Sequence, residues 1–180
     1  MKKLQVGCGP KKLPDYINID ILEDSEADVL ANITSLPFKD NSFDLLYSSS
    51  VIEHFGRREW VHILAEWSRV IKPLGKIYIS TPNFETCAQH YIQTGNLDEL
   101  VGLIMGGQKD EYDWHGMIYD FKTLKNGLIE AGFGQVAPYD WREFDVGIHS
   151  VDDFSQAYLP HMDKENGKLM MLNLVATKIK

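Results

Sequence analysis

A chain of 180 residues with 44% hydrophobic side chains can bury the core of one α/β domain, so neither disorder nor a multidomain chain is needed to account for it. Its formal charge of −8 excludes a phosphate-tracking surface, because nucleic-acid affinity rests on Lys and Arg neutralising phosphates, and no nucleic-acid partner is expected. No apolar run approaches the ~20 residues of a bilayer-spanning helix, nothing at the N-terminus resembles a signal peptide, and Cys8 and Cys87 form no CxxC or disulfide framework, so the expectation is a cytoplasmic protein with reduced thiols and no membrane insertion.

In chain order, Leu4 to Val6 reads as a buried strand, Gly7 and Gly9 permit a tight turn, and Tyr16 to Ile19 reads as a second strand closing on Asp20. Only Pro10 to Asp15 lies between them, whereas a parallel crossover usually takes a dozen or more residues and holds a helix. The reach nevertheless suffices. Returning along a four-residue strand needs roughly 13 Å, and six extended residues span roughly 20 Å. Phe43 to Ser48 and Lys76 to Ser80 read as two further strands, and near-continuous apolar runs of this kind suit a parallel sheet covered on both faces.

Between those two strands Trp60, Ile63, Leu64, Trp67, Val70 and Ile71 fall on one helical stripe, which places both tryptophans in the core. Pro73 and Gly75 predict a stop near Lys72. In "YDFKTLKNGLIEAGF", Asp120 is a cap, Phe121, Leu124, Leu128 and Ala131 form a buried face, and Gly132 is a terminator. In "KENGKLMMLNLVATKIK", Asn166 and Gly167 make a turn before a long strand, the pattern of a hairpin, so the sheet is expected to finish antiparallel. The predicted fold is a single α/β domain over 1–180 with a doubly wound, mostly parallel sheet. Residues 84–119 interrupt the alternation and include a helical candidate at Leu97 to Ile104; they are expected to be an insertion on the acceptor side of a ligand site.

Open α/β sheets bind ligands at the carboxyl ends of their strands, where strand order reverses. The Gly7-Cys8-Gly9 turn, Asp20, the loop from Asn32 to Leu36, and Ser48 to His54 would meet there. A GxG turn alone is a weak signal; an acid closing the next strand strengthens it, because a carboxylate there can accept both ribose hydroxyls. A dinucleotide is disfavoured, since the third fingerprint glycine falls at Lys12 and no helix N-terminus follows the turn to hold a pyrophosphate. A nucleoside without phosphates needs neither.

At these residues the sequence resembles the class I S-adenosylmethionine-dependent methyltransferases, in "VGCGP", in "LPFKDNSFDLLYSSSVIEHF", in "VIKPLGKIYISTPN" and again in "LIEAGF". The short "GCGPKKLPDYINID" crossover resembles a subgroup of small members, by analogy associated with glycan or lipopolysaccharide pathways. The resemblance implies a Rossmann-like methyltransferase fold, S-adenosylmethionine as cofactor, and methyl transfer to a hydroxyl of a small molecule or glycan precursor. It implies that Val6, Gly7, Cys8 and Gly9 line the methionine and ribose of the cofactor and that Asp20 takes the ribose hydroxyls. Asn32 stands where the family often places an acid against the adenine amino group, with the Ile33 N–H beside it, and Ser49 and Ser50 pass near the sulfonium.

An alcohol loses its proton as the new carbon–oxygen bond forms, and imidazole suits that task at neutral pH. His115, in the 84–119 segment beside Tyr112 and Trp114, is the first candidate and His54 the second. Each has a plainer reading: His54 as a structural hydrogen bond, His115 as a solvated loop residue, and Tyr112 and Trp114 as loop packing rather than stacking on an acceptor. Glu53 reads equally as an acceptor for backbone N–H groups or as a ligand. With no HxH or HExxH spacing, no metal site is expected. The alternative to an enzyme is a non-catalytic nucleoside-binding module acting through a protein partner.

Overall fold

The computed structural model describes residues 1–144 and 152–179. Strands β1 (Lys3–Val6), β2 (Ile17–Asp20), β3 (Val29–Leu30), β4 (Phe43–Ser49), β5 (Ile71–Pro82) and β6 (Phe133–Pro138) join the last strand of the chain, β9 (Met171–Lys178), in one sheet. Its order is β3-β2-β1-β4-β5-β9-β6. The strands from β3 to β5 pair in parallel, and β9 runs antiparallel to both β5 and β6. Strand order reverses between β1 and β4. The mostly parallel, doubly wound sheet and its antiparallel C-terminal strand agree with the expectation from sequence.

Helix α1 (Trp60–Val70) buries Trp60, Ile63, Leu64, Trp67 and Val70, the predicted stripe. It stops before Ile71, which already belongs to β5, and the next four residues form an irregularity in that strand: Ile71 lies opposite Phe43 and Lys76 opposite Leu45. Two further helices, α2 (Phe84–Thr94) and α3 (Val101–Met105), lie in the 84–119 segment, and α4 (Phe121–Glu130) starts where Asp120 accepts the Thr123 N–H at 2.7 Å. Helices α1 and α4 cover one sheet face together, with Gly127 lying so close to the Trp60 ring that a Cβ there would collide with it. A separate ribbon pairs β7 (Tyr158–Leu159) with β8 (Lys168–Leu169). The Asn166-Gly167 turn therefore belongs to this ribbon, a correction to the direct hairpin expected before β9. The short strands β3 and β6 and the helix α2 were absent from the sequence expectation.

The face opposite α1 also differs from expectation. Leu4, Val6 and Ile19 enter the main core, but the intervening Gln5 and Asn18 point the other way and are buried. Their side chains do the work that a crossover helix would do for itself. The Leu13 N–H is shared between Gln5 Oε1 at 2.9 Å and Asn18 Oδ1 at 3.1 Å, and Gln5 Nε2 donates to Lys11 O at 3.0 Å. The Asn18 amide group reaches Leu13 O and Tyr16 O at 3.1 and 3.0 Å and the Asp28 carboxylate at 2.8 Å. Asp28 also pairs with Lys12, which holds its carboxyl down at about 2. Leu13 and Tyr16 then fold over this face beside Leu45, Tyr47 and Phe144.

Asn18→Leu keeps the branch at Cγ, removes the amide and strands the backbone groups of the crossover. Each buried group left unpaired costs about 1–3 kcal/mol, so urea unfolding should show a loss of about 3 kcal/mol. A loss below about 1 kcal/mol would mean that the crossover holds without this residue.

Candidate active site

The glycine turn after β1 is fixed from three sides. The Cys8 N–H donates to Ile19 O at 3.1 Å, the Glu26 N–H to Gly9 O at 2.9 Å, and the Gly9 N–H to Asp20 Oδ2 at 2.7 Å. Asp20 is buried, and its other oxygen accepts the Leu22 N–H at 3.0 Å. Each oxygen of the carboxylate thus keeps a lone pair for a further donor. Gly7 and Gly9 both have positive φ, +64° and +49°. They differ in their surroundings: a Cβ on Gly7 would strike the Val51 side chain, whereas beyond the chain neighbours no atom of the described residues lies within 4 Å of one on Gly9. Cys8 sits between them, its thiol pushed up to about 12 by burial and, next, by the nearby Asp20 charge, so it is a neutral packing group at physiological pH.

The loop after β3 is anchored to α1. Trp67 Nε1 donates to Ile33 O at 3.1 Å, the Leu36 N–H donates to Glu66 Oε1 at 2.6 Å, and Arg69 donates to Phe38 O and Leu36 O at 2.8 and 3.1 Å. Glu66 and Arg69, which sequence reasoning passed over, position this loop. Asn32 is exposed, and its Oδ1 accepts both the N–H and the hydroxyl of Thr34, at 2.9 and 2.8 Å. Its NH2 group is the part left to face a ligand. The buried Ile33 side chain fixes the backbone whose N–H follows.

After β4 the chain turns sharply through Ser50, which has φ +52° and donates its N–H to Ser80 O at 2.9 Å. Val51 follows, pressed toward Gly7, and then a 3-10 turn over Ile52–His54. Glu53, in that turn, is fully buried. Its backbone carbonyl accepts the Gly116 and Met117 N–H groups at 2.8 and 3.1 Å, so the residues around His115 are stitched to the turn. Gly116 permits this, since a Cβ there would lie 2.9 Å from the Phe55 backbone. The two histidines, far apart in sequence, become neighbours with ring centroids 4.8 Å apart. His54 Nδ1 donates to Trp114 O at 3.2 Å and His115 Nδ1 to Leu103 O at 3.1 Å. Tyr112 and Trp114 themselves are half-exposed beside them.

Ser49 Oγ, both carboxylate oxygens of Glu53 and Thr81 Oγ1 are buried without hydrogen-bond partners among the described residues. Burial pushes the Glu53 carboxyl up to about 7; its own backbone N–H, the Thr81 and Ser50 hydroxyls and the Val51 N–H pull the other way, though none reaches hydrogen-bond geometry. Burial, followed by the charge of His54, pushes His115 down to about 4. Glu53, Thr81 and His115 line a common cavity of about 10 Å³ with Phe84, Leu103 and Met117. The signal for Glu53 in the sequence was an acid inside the apolar run "VIEHF".

A family model described as "Methyltransferase domain" matches residues 4–79, which hold the glycine turn, Asp20, the anchored loop and the turn after β4. In these residues and in its doubly wound sheet the chain is similar to the class I S-adenosylmethionine-dependent methyltransferases. S-adenosylmethionine is the cofactor of this class. The chain is similar to "Ubiquinone/menaquinone biosynthesis C-methyltransferase UbiE" of Shewanella frigidimarina, 29% identical over 67% of this chain and 51% of that protein. It is also similar to the protein of the same name from Salmonella arizonae, 29% identical over 73% of this chain and 55% of that one. The chain thus spans about half the length of the curated relatives it matches. Its fold is shared with S-adenosylmethionine-dependent methyltransferases of Methanosarcina mazei (TM-score 0.62, 16% identity, 99% of this chain and 92% of that one) and Archaeoglobus fulgidus (0.57, 19%, 98% and 86%). No helix among the described residues is long and apolar enough to cross a membrane.

The two glycines give a contrast that tests the turn. Gly9→Ala should cost about 1–2 kcal/mol, the penalty of an L-residue at positive φ. Gly7→Ala adds the collision with Val51, worth a further ~1–3 kcal/mol of overpacking. Thermal unfolding of the two variants should therefore rank Gly7→Ala well below Gly9→Ala, and equal losses would mean that Val51 yields freely.

Proposed function

We propose that this methyltransferase moves a methyl group from S-adenosylmethionine to a hydroxyl of a small molecule or glycan precursor. The observation that carries the reading is the contact chain at one end of the sheet: Asp20 holds the Gly9 turn, Gly7 abuts Val51, and Val51 leads into the Glu53, His54 and His115 cluster. In this reading Val6, Gly7, Cys8 and Gly9 line the methionine and ribose, and Asp20 uses its remaining lone pairs for the ribose hydroxyls. The Asn32 NH2 and the Ile33 N–H meet the adenine edge. Ser49 and Ser50 offer oxygens toward the sulfonium.

When bound, the cofactor supplies a methyl carbon already activated by its sulfonium. What the chain contributes is alignment and exclusion of water. His115, with His54 second, acts on the proton of the acceptor hydroxyl; both rings have Nδ1–H committed to a backbone carbonyl, which leaves Nε2 with its lone pair. Residues 84–119 are the acceptor-side segment, closing over the cluster through Gly116 and Met117. A carbon acceptor is the second reading, favoured by the name of the curated relatives, C-methyltransferases. The family match supports an enzyme over a binding module without chemistry.

Calorimetry should show binding of S-adenosylmethionine and S-adenosylhomocysteine, and no binding of either would end the cofactor assignment here. Asp20→Ala should weaken that binding by about 1.5–3 kcal/mol, the scale of a hydrogen bond to a charged group, measured where the variant is still folded. Unchanged affinity would move the ribose elsewhere. His115→Ala should keep cofactor binding and lose about 10²- to 10⁴-fold in turnover, with His54→Ala as the comparison. Assay against paired panels of hydroxylated compounds and electron-rich aromatic carbons separates the two acceptor classes.

A further inference from the structure

Glu53 is 1% exposed, and neither of its carboxylate oxygens has a hydrogen-bond partner among the described residues. Folded proteins rarely leave a buried carboxylate in that condition without a counter-charge, a water or a ligand. Two imidazoles stand beside it. One ligand atom from each of Glu53, His54 and His115 lies within 4.8 Å of the others. Atoms that share one tetrahedral ion at about 2.1 Å each lie about 3.4 Å apart, so side-chain rotation that draws the three atoms together by up to about 1.4 Å would close the cluster on a cation.

The rings are also held as ligand rings are held. A ring nitrogen facing a carbonyl must carry the hydrogen, so the contacts of His54 Nδ1 with Trp114 O and of His115 Nδ1 with Leu103 O fix the tautomer that leaves Nε2 as the donor atom. Metal-binding histidines show this arrangement as a rule. The backbone supplies rigidity, because the Gly116 and Met117 N–H groups on Glu53 O tie the segment bearing His115 to the turn bearing the other two. The cavity lined by Glu53 and His115, about 10 Å³, is the size of a single water or ion.

We propose that Glu53, His54 and His115 form a binding site for one divalent cation of the zinc class, with open coordination positions on the acceptor side. Two imidazoles and one carboxylate suit Zn²⁺, Co²⁺ or Fe²⁺, whereas Ca²⁺ and Mg²⁺ prefer shells of oxygen. The sequence hid the site because two ligands are adjacent and the third arrives from a distant segment, so no HxH or HExxH spacing exists. The proposal rests on the reading of this end of the sheet as the acceptor end and replaces the imidazole base of that reading, since a ring that gives its Nε2 lone pair to a cation cannot also take the acceptor proton. An acceptor hydroxyl in an open position loses its proton to solvent more readily, its oxygen takes the methyl carbon, and the sulfur keeps the electron pair of the broken carbon–sulfur bond.

The test uses the full chain, stripped of metal and titrated with Zn²⁺ in competition with a chromogenic chelator, and separately with Co²⁺ followed by visible absorption. The expected result is one Zn²⁺ per chain and a Co²⁺ band of low coordination number. Glu53→Gln, His54→Ala and His115→Ala should each weaken Zn²⁺ binding by about tenfold or more, while His90→Ala, at the exposed His90–Glu99 pair, leaves it unchanged. Absent stoichiometric binding, or binding that all three variants retain, would overturn the proposal. If Glu53→Gln fails to fold, the half-buried His54 decides it. S-adenosylmethionine binding is measured on the same samples: cofactor bound without Zn²⁺ removes the cation alone, and Zn²⁺ bound without the cofactor removes the methyl-transfer reading alone.

Discussion

The shared hydrogen bond from the Leu13 N–H to Gln5 and Asn18 is the constraint on which the ligand end of this protein depends. A parallel β1–β2 connection normally satisfies its own backbone by forming a helix, and six residues with two prolines cannot. Buried amide side chains on the two strands take over, each offering both a donor and an acceptor to the chain passing above. This fixes where β2 ends. With β2 in place Asp20 lies under the Gly9 N–H, and the glycine turn has its conformation. The cost is a sheet face that cannot be continuously apolar, since Gln5 and Asn18 occupy positions that a helix-covered sheet would give to Val or Ile.

Much of the fold was legible because its signals are local. The stripe through Trp60, Ile63, Leu64 and Trp67, the Asp120 cap, and the glycine turn closed by Asp20 each depend on residues a few positions apart. The elements that escaped had weak local signals. Only two residues make β3, and one of them is exposed; α2 buries only Cys87 from its own length. In β1 and β2, Leu-Gln-Val and Ile-Asn-Ile alternate, and nothing local shows that the polar members are buried under the crossover. The stop near Lys72 was displaced by two residues because Val70 and Ile71 are both buried, and burial alone does not tell a helix end from a strand start.

At the candidate site the division is similar. The residues following β1, β2 and β4 could be placed at one end of the sheet from sequence because strand ends in this topology converge by rule. The neighbourhood of His54 and His115 was not legible, since it is created by hydrogen bonds from Gly116 and Met117 to the Glu53 carbonyl, between segments with no sequence periodicity in common. Glu53 itself carries a signal that local reasoning undervalued. A carboxylate between Ile52 and His54, in a turn that must pack against Gly7, has little prospect of reaching water.

The cofactor turn and the acceptor cluster are mechanically one object. Val51 touches the space that a Cβ on Gly7 would need, and the next three residues form the turn carrying Glu53 and His54. Ser50, at φ +52°, bends the chain so that Val51 can approach while its own N–H remains bonded to Ser80. Close packing transmits displacement because a core side chain has no free volume in which to absorb it. A shift of the glycine turn as a cofactor seats would therefore press on Val51 and reach Glu53 two residues later. The unpartnered polar atoms of Ser49, Glu53 and Thr81 lie at that end of the sheet, where strands β4 and β5 finish. The hydrophobic core on the α1 and α4 face supplies the stability that lets this end retain buried polar groups without partners among the described residues.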